Sequence, residues 1–279
     1  MRIHGVQQNT FEWLKIRSGI PTASEFDRIM TKGGEKSKST QSKQAPAYMN
    51  ELLSERLMGH PTQQKSTKWM ERGQELEGDA LAYYEFQRGV SVEKIGFVTN
   101  DAGNIGCSPD CLVGNDGLLE IKCPSEGVHV SYLLEDVGAA DQYKHQTQGQ
   151  LWITGRKWVD IVSYHPEMPS ALYRVERDHE FIELLSLHVS VFVNCLESLW
   201  KEFCEVRKWG NAEAWERRFD LPKPKPDMSQ RGAIDEMREV MIETQYPPAA
   251  PEGSGMGDKG TMQAAGETSK SAASKRGVA

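Results

Sequence analysis

Over residues 118–123 apolar and polar side chains alternate with a period of two, which predicts a strand carrying Glu120 and Lys122 on one face and Leu119, Ile121 and Cys123 on the other. Asp110 stands before the short apolar run Cys111-Leu112-Val113. The Gly114-Asn115-Asp116-Gly117 stretch between the two runs predicts a hairpin turn that folds Asp110 back toward Glu120. Further strands are expected over residues 95–99, 158–164 and 172–177.

Helical spacing governs most of the remainder. Residues 10–17 read as a short helix ended by Ser18-Gly19, and Thr22-Ala23-Ser24-Glu25 is a capping box that predicts a second helix carrying Phe26, Ile29 and Met30. The spacing resumes over 48–58 and is strongest over 69–88, where Met70, Gly73, Leu76, Ala80, Leu81 and Tyr84 recur at three and four. Residues 141–153 read as a helix with Tyr143, Gln146 and Gln150 on one face, and a long helix over 179–209 closes the unit. This order of elements predicts an α/β chain, more narrowly an α+β mixed sheet flanked by helices. The domain would span residues 1–221 and carry a mobile basic loop over 33–46. A Pro-rich linker with a short helix is expected over 222–246, followed by a disordered tail over 247–279, where aromatic residues are absent and Gly, Ala, Ser and Pro dominate.

Composition narrows the class. Five cysteines, an odd number without Cys-x-x-Cys spacing, point to a reducing compartment, with the cytoplasm as default, and against a disulfide scaffold. The opening residues have no apolar signal core and no run of about eighteen apolar residues is expected to span a membrane. The net charge is −7, yet residues 1–50 hold eight Lys and Arg against four acids, a local +4 that leaves −11 for the rest. An acidic whole with a basic segment suits an enzyme that holds phosphate in one place and releases its polymer elsewhere. Lys36, Lys38 and Lys43 equally suit a loop that is merely solvated.

Glu77 falls on the core-facing stripe of its helix, four after Gly73 and seven before Tyr84, while Glu71 and Glu75 have freer positions. A carboxylate there needs a partner, which is either a Lys or Arg or a metal ion shared with other acids. Glu77, Asp110 and Glu120 would supply hard oxygen ligands for two Mg²⁺ ions, with Mn²⁺ an alternative, and the Ile121 carbonyl could add another. Lys122 beside them would orient a water or stabilise charge on a phosphate, so the set suits metal-assisted phosphodiester hydrolysis.

In sequence order the chain carries Trp13-x-x-x-Arg17-x-Gly19-x-x-Thr22-Ala23-Ser24, Gly73-x-x-x-Glu77, Cys107-Ser108-Pro109-Asp110, Leu119-Glu120-Ile121-Lys122-Cys123-Pro124 and Tyr143-x-x-Gln146-x-Gln148. With these five motifs it resembles the lambda-exonuclease-like (YqaJ-type) viral recombination nucleases, a branch of the PD-(D/E)xK superfamily, over residues 9–205. The resemblance implies a restriction-endonuclease-like core with Asp110 and Glu120 on the metals, Glu77 in the second metal's shell and Lys122 as the catalytic lysine. It implies that Tyr143 and Gln146 line the cleft, and that Arg17, Ser24 and Ser108 hold the 5′ phosphate of a double-stranded DNA end. Trp13 would either stack near that end or pack its own helix. The resemblance further implies a homotrimer ring that digests one strand from the 5′ end to mononucleotides, a single-strand-annealing partner protein and a bacterial host cell. A PD-(D/E)xK endonuclease and a DNA-end-binding module without catalysis remain alternatives.

Overall fold

The alternating run becomes a central strand of a mixed sheet. The computed structural model describes residues 1–30, 42–62, 68–135, 138–208 and Trp215. In chain order these form β1 (Arg2–His4), α1 (Phe11–Arg17), a 3₁₀ helix (Ala23–Arg28), α2 (Ala45–Met58), α3 (Lys68–Arg88), β2 (Val92–Lys94), β3 (Phe97–Thr99), β4 (Gly106–Cys107), β5 (Cys111–Val113) and β6 (Gly117–Lys122). There follow α4 (Glu126–Leu134), α5 (Gly138–Gln142), α6 (Lys144–Thr154), β7 (Trp158–Ser163), β8 (Ala171–Glu176) and α7 (His179–Glu205). Most of the basic loop expected over 33–46, and all of the linker and tail expected over 222–279, lie outside the described residues.

Five strands pair in the order β2-β5-β6-β7-β8, and β1-β3-β4 make a smaller antiparallel sheet. Within the five-stranded sheet only β6 and β7 pair in parallel, in register from Gly117 opposite Trp158 to Lys122 opposite Ser163. A parallel pair needs a long crossover, and α4, α5 and α6 supply it. The hairpin turn forms where expected, between β5 and β6, with Cys111 opposite Leu119. Gly117 is required there because a Cβ would lie about 2.1 Å from the Trp158 ring across the pair.

The period of two sorts β6 between two cores. Leu118 packs with Val159, Ile161, Leu151 and the α7 side chains Leu185, Phe192 and Leu196. Leu119 packs on the opposite face with Cys111, Val113, Val162 and Tyr84 of α3, with Ile121 alongside. Both faces are therefore covered by helices, and Glu120, on the α6 side, is only 4% exposed. The polar face of β6 is covered by α6, whose Gln146 and Gln150 contact Glu120, and is not open surface.

α7 is long and apolar enough, by length and composition, to cross a membrane. Its Ile182, Leu185, Val189, Phe192, Leu196 and Trp200 are buried in the main core, which is what a central helix of a packed domain requires. Full burial of each such side chain contributes about 1.5–3 kcal/mol.

Three sequence expectations change. The Thr22 capping box does not form an α-helix, because Ala23–Arg28 is a six-residue 3₁₀ helix and the Thr22 side chain makes no cap hydrogen bond. The helix expected over 141–153 is two pieces broken at Tyr143, whose backbone leaves the helical region at φ −99° and ψ 19°. α4 was not foreseen, since its Val128, Val130, Leu133 and Leu134 are outward-facing and leave no clear apolar stripe.

Candidate active site

Asp110 sits immediately before β5, and the hairpin fixes it against β6: its backbone N–H donates to the Leu119 carbonyl at 3.1 Å, and its Oδ2 accepts the Ile121 N–H at 2.6 Å. From β6, Glu120 points toward α6. Its Oε1 accepts from Lys122 Nζ at 2.7 Å and from Gln146 Nε2 at 2.6 Å. Its Oε2 accepts from Gln150 Nε2 at 2.7 Å. Lys122 Nζ also donates to Gln146 Oε1 at 3.3 Å and lies 4.3 Å from the centre of the Tyr143 ring. The break at Tyr143 is what turns that ring beneath the ammonium while α6 continues with Gln146 and Gln150 one turn apart.

The electrostatics follow from this crowding. Burial, reinforced by the charge of Glu120, pushes the Asp110 carboxyl well above its ordinary range, although the Ile121 N–H and Lys122 oppose the shift. Burial pulls the Lys122 ammonium down, but Glu120 and Tyr143 more than reverse this, so it is held as a cation. Two carboxylates thus share one site, with Lys122 in direct contact with Glu120.

Glu77 is half-buried on α3, and its Oε1 accepts from Lys94 Nζ on β2 at 3.0 Å. The Lys partner allowed by the sequence is therefore present. Glu77 still contributes negative charge at Asp110, so the three acids belong to one electrostatic neighbourhood. Glu71 and Glu75 are exposed, as their positions off the stripe require. His145 is buried edge-on against Phe181, at 5.2 Å between ring centres, which is a packing position.

The residues expected to hold an anion form a second group. Trp13 is buried in a small core with Ile20 and Phe97, and its Nε1 donates to Ser108 Oγ at 3.0 Å and to the Gly96 carbonyl at 3.2 Å. Arg17, one turn on, stacks over the Trp13 ring at 4.2 Å, so Trp13 packs its helix and is roofed by a cation. Arg17 Nη2 donates to Thr22 Oγ1 at 3.3 Å, and Thr22 Oγ1 lies 3.3 Å from Ser24 Oγ. Among the described residues Arg17 makes no ion pair, and burial lowers its pKa. A guanidinium remains charged in any protein, and the charges of Glu25 and Glu55 reach this one without a direct ion pair among the described residues. The contacts thus link Arg17, Ser24 and Ser108. The group is built from side chains, since Ala23–Arg28 is a short 3₁₀ helix and not an α-helix.

Sequence reasoning missed Gln8, whose Nε2 donates to the Ile95 carbonyl at 2.9 Å and the Pro109 carbonyl at 3.0 Å, pinning the Ser108-Pro109-Asp110 turn to β3's approach. It also missed the contact of Gln150 with Glu120, although the shared face with Gln146 was visible in the spacing. Thr22 serves as the link between Arg17 and Ser24.

Among the described residues no three His, Cys, Asp or Glu side chains are gathered as a metal cluster. The donor chemistry nevertheless fits a hard divalent cation. Asp110 and Glu120 are oxygen donors; burial and then the charge of Glu120 raise the Asp110 carboxyl, and a cation between the two would relieve both. The cysteines nearby are thiols and not ligands of this kind: burial pushes Cys111 up to about 12 and Cys123 up to about 11.

Residues 12–157 match the family described as the YqaJ-like viral recombinase domain. Among solved structures, an alkaline exonuclease, LHK-Exo, from Laribacter hongkongensis is 34% identical with a TM-score of 0.61, covering 71% of this chain and 97% of that one. The same protein in complex with dAMP gives 35% identity and a TM-score of 0.60, with the same coverage. A phage related exonuclease from Haemophilus somnus 129PT shares the fold at 20% identity and a TM-score of 0.54, covering 66% of this chain and 96% of that one. None of the curated proteins compared matches the chain.

Proposed function

Because the chain belongs to the YqaJ-like viral recombinase family, we propose that it is a phage-type alkaline exonuclease: a Mg²⁺-dependent 5′-to-3′ exonuclease on double-stranded DNA. It would act in phage or prophage recombination inside the bacterial host, releasing mononucleotides and leaving a 3′ overhang. One observation carries this reading. The three-residue turn Ser108-Pro109-Asp110 joins the anion pocket to the carboxylate–lysine cluster, with Ser108 held by Trp13 under Arg17 and Asp110 held by the Ile121 N–H. The dAMP complex of LHK-Exo supports a nucleoside monophosphate as the unit handled.

Asp110, Glu120 and the Ile121 carbonyl, with Glu77 after release from Lys94, would hold two Mg²⁺ or Mn²⁺ ions. When bound, such ions supply an activated water and neutralise phosphoryl oxygens. Lys122, kept protonated by Glu120, stabilises the negative charge that builds on the scissile phosphate. Gln146 bridges Lys122 and Glu120 and fixes their spacing. Tyr143 bounds the cleft beneath the ammonium. Arg17, Ser24 and Ser108 grip the terminal 5′ phosphate, which registers the strand so that the bond nearest the end reaches Lys122 and Asp110. Ring-shaped trimers and a single-strand-annealing partner belong to the same proposal.

The pocket is tested by Arg17→Ala on linear duplex with Mg²⁺, comparing 5′-phosphate and 5′-hydroxyl ends. Charge-assisted hydrogen bonds from one guanidinium contribute about 1.5–3 kcal/mol, so cutting of phosphorylated ends should fall roughly 10- to 100-fold while hydroxyl ends change little. Arg17→Lys should recover only part, because the planar fork is lost. Equal use of both ends by the wild type would remove the pocket from the account.

A further inference from the structure

Gln150 is 1% exposed and lies one turn beyond Gln146 on α6. Its Nε2 donates to Glu120 Oε2 at 2.7 Å, and its own Oε1 is buried with no hydrogen-bond partner among the described residues. The amide cannot be turned over, since that would set a carbonyl oxygen against a carboxylate. An unsatisfied buried carbonyl is unfavourable, and a methionine of similar volume would fill the space without one. The fold therefore tolerates an orphaned acceptor in order to aim one N–H at the inner oxygen of Glu120.

The two oxygens of Glu120 are treated differently. Oε1 faces the half-buried Lys122 and Gln146. Oε2 faces only the wholly buried Gln150 among its hydrogen-bond partners. A carboxylate held at one oxygen from a rigid helix has its plane fixed, and the other oxygen is then presented in one direction. We propose that Gln150 is a positioning residue that locks the Glu120 carboxylate plane and so sets the affinity of the site for a divalent cation. This rests on the reading of Glu120 as an ion ligand. Gln150 touches neither substrate nor ion; it acts through Glu120.

The test is calorimetric titration of the full chain with Mn²⁺ in the absence of DNA, for wild type, Gln150→Met and Glu120→Gln, together with the thermal midpoint of each. Gln150→Met should weaken Mn²⁺ binding about 10-fold, as loss of an outer partner of a metal ligand typically does. Its thermal midpoint should fall only modestly, because removal of the orphaned carbonyl offsets part of the cost of leaving Glu120 Oε2 without its donor. In steady state its kcat should fall at subsaturating Mn²⁺ with KM for duplex unchanged. A lower midpoint with unchanged Mn²⁺ affinity would make Gln150 a packing residue and overturn the proposal. If Glu120→Gln loses Mn²⁺ affinity and Gln150→Met does not, only the Gln150 assignment fails. If neither loses it, the ion-ligand reading of Glu120 falls as well.

Discussion

Lys122→Ala should reduce digestion of linear duplex by about 10²- to 10³-fold in kcat, the loss expected when one preorganised group facing developing charge is removed. The variant should fold, because Lys122 is 20% exposed at its side chain and its deletion leaves Glu120 with both glutamine donors, Gln146 and Gln150. Binding of a duplex end should persist, since Arg17, Ser24 and Ser108 are untouched. The measurement is single-turnover release of nucleotide at saturating Mg²⁺, with end binding followed separately by fluorescence anisotropy. Activity within tenfold of wild type would show that charge on the phosphate is handled by another group. Lys122→Arg should not restore the rate, because the larger planar group cannot take the place of an ammonium between Glu120 and the Tyr143 ring.

The largest effect on stability is expected on the opposite face of the sheet, at Arg174→Met. Asp160 on β7 has no exposed surface, and Arg174 opposite it on β8 donates to both of its oxygens, at 2.7 and 2.8 Å. Tyr84 of α3 donates to Oδ2 at 2.9 Å, and Arg88 stands 3.6 Å away. One carboxylate thus ties α3, β7 and β8 together. Removing the bidentate partner leaves a buried charge poorly compensated. Such losses reach 3–5 kcal/mol, and with Tyr84 and Arg88 remaining and Arg174 41% exposed the expected cost is about 2–3 kcal/mol. That corresponds to a fall of roughly 5–10 °C in thermal midpoint. The double change Asp160→Leu with Arg174→Met should recover most of it, since the uncompensated charge is then absent. A midpoint shift under about 2 °C in Arg174→Met would show that solvent already screens the pair.

How much of this was legible beforehand differs by element. The period of two over β6 is local information: it placed Glu120 and Lys122 on one face, and the Gly-Asn-Asp-Gly turn brought Asp110 back to them. The same alternation could not say that the polar face would be roofed by α6, because that depends on a crossover between parallel β6 and β7. For the same reason the Gln150 contact with Glu120, thirty residues away in sequence, was invisible although its helical face was not. The Lys94 partner of Glu77 comes from β2, a three-residue strand too short to carry a periodic signal. The Thr22 motif has the chemistry of a cap, yet tertiary contacts decide its use. The Thr22 N–H donates to the buried Tyr48 hydroxyl and its side chain turns to Arg17, so a helix-start signature ends as the link between Arg17 and Ser24.

The central claim is that one turn joins a grip on the 5′ phosphate to a cutting site. It is tested most directly with a linear duplex labelled differently at the 5′ and 3′ ends of one strand, incubated with Mg²⁺ and the full chain. The expected result is early release of the 5′ label as a mononucleotide, with the 3′ label retained in long fragments and covalently closed circular duplex left intact. Early release of the 3′ label, or cutting of the closed circle, would contradict it.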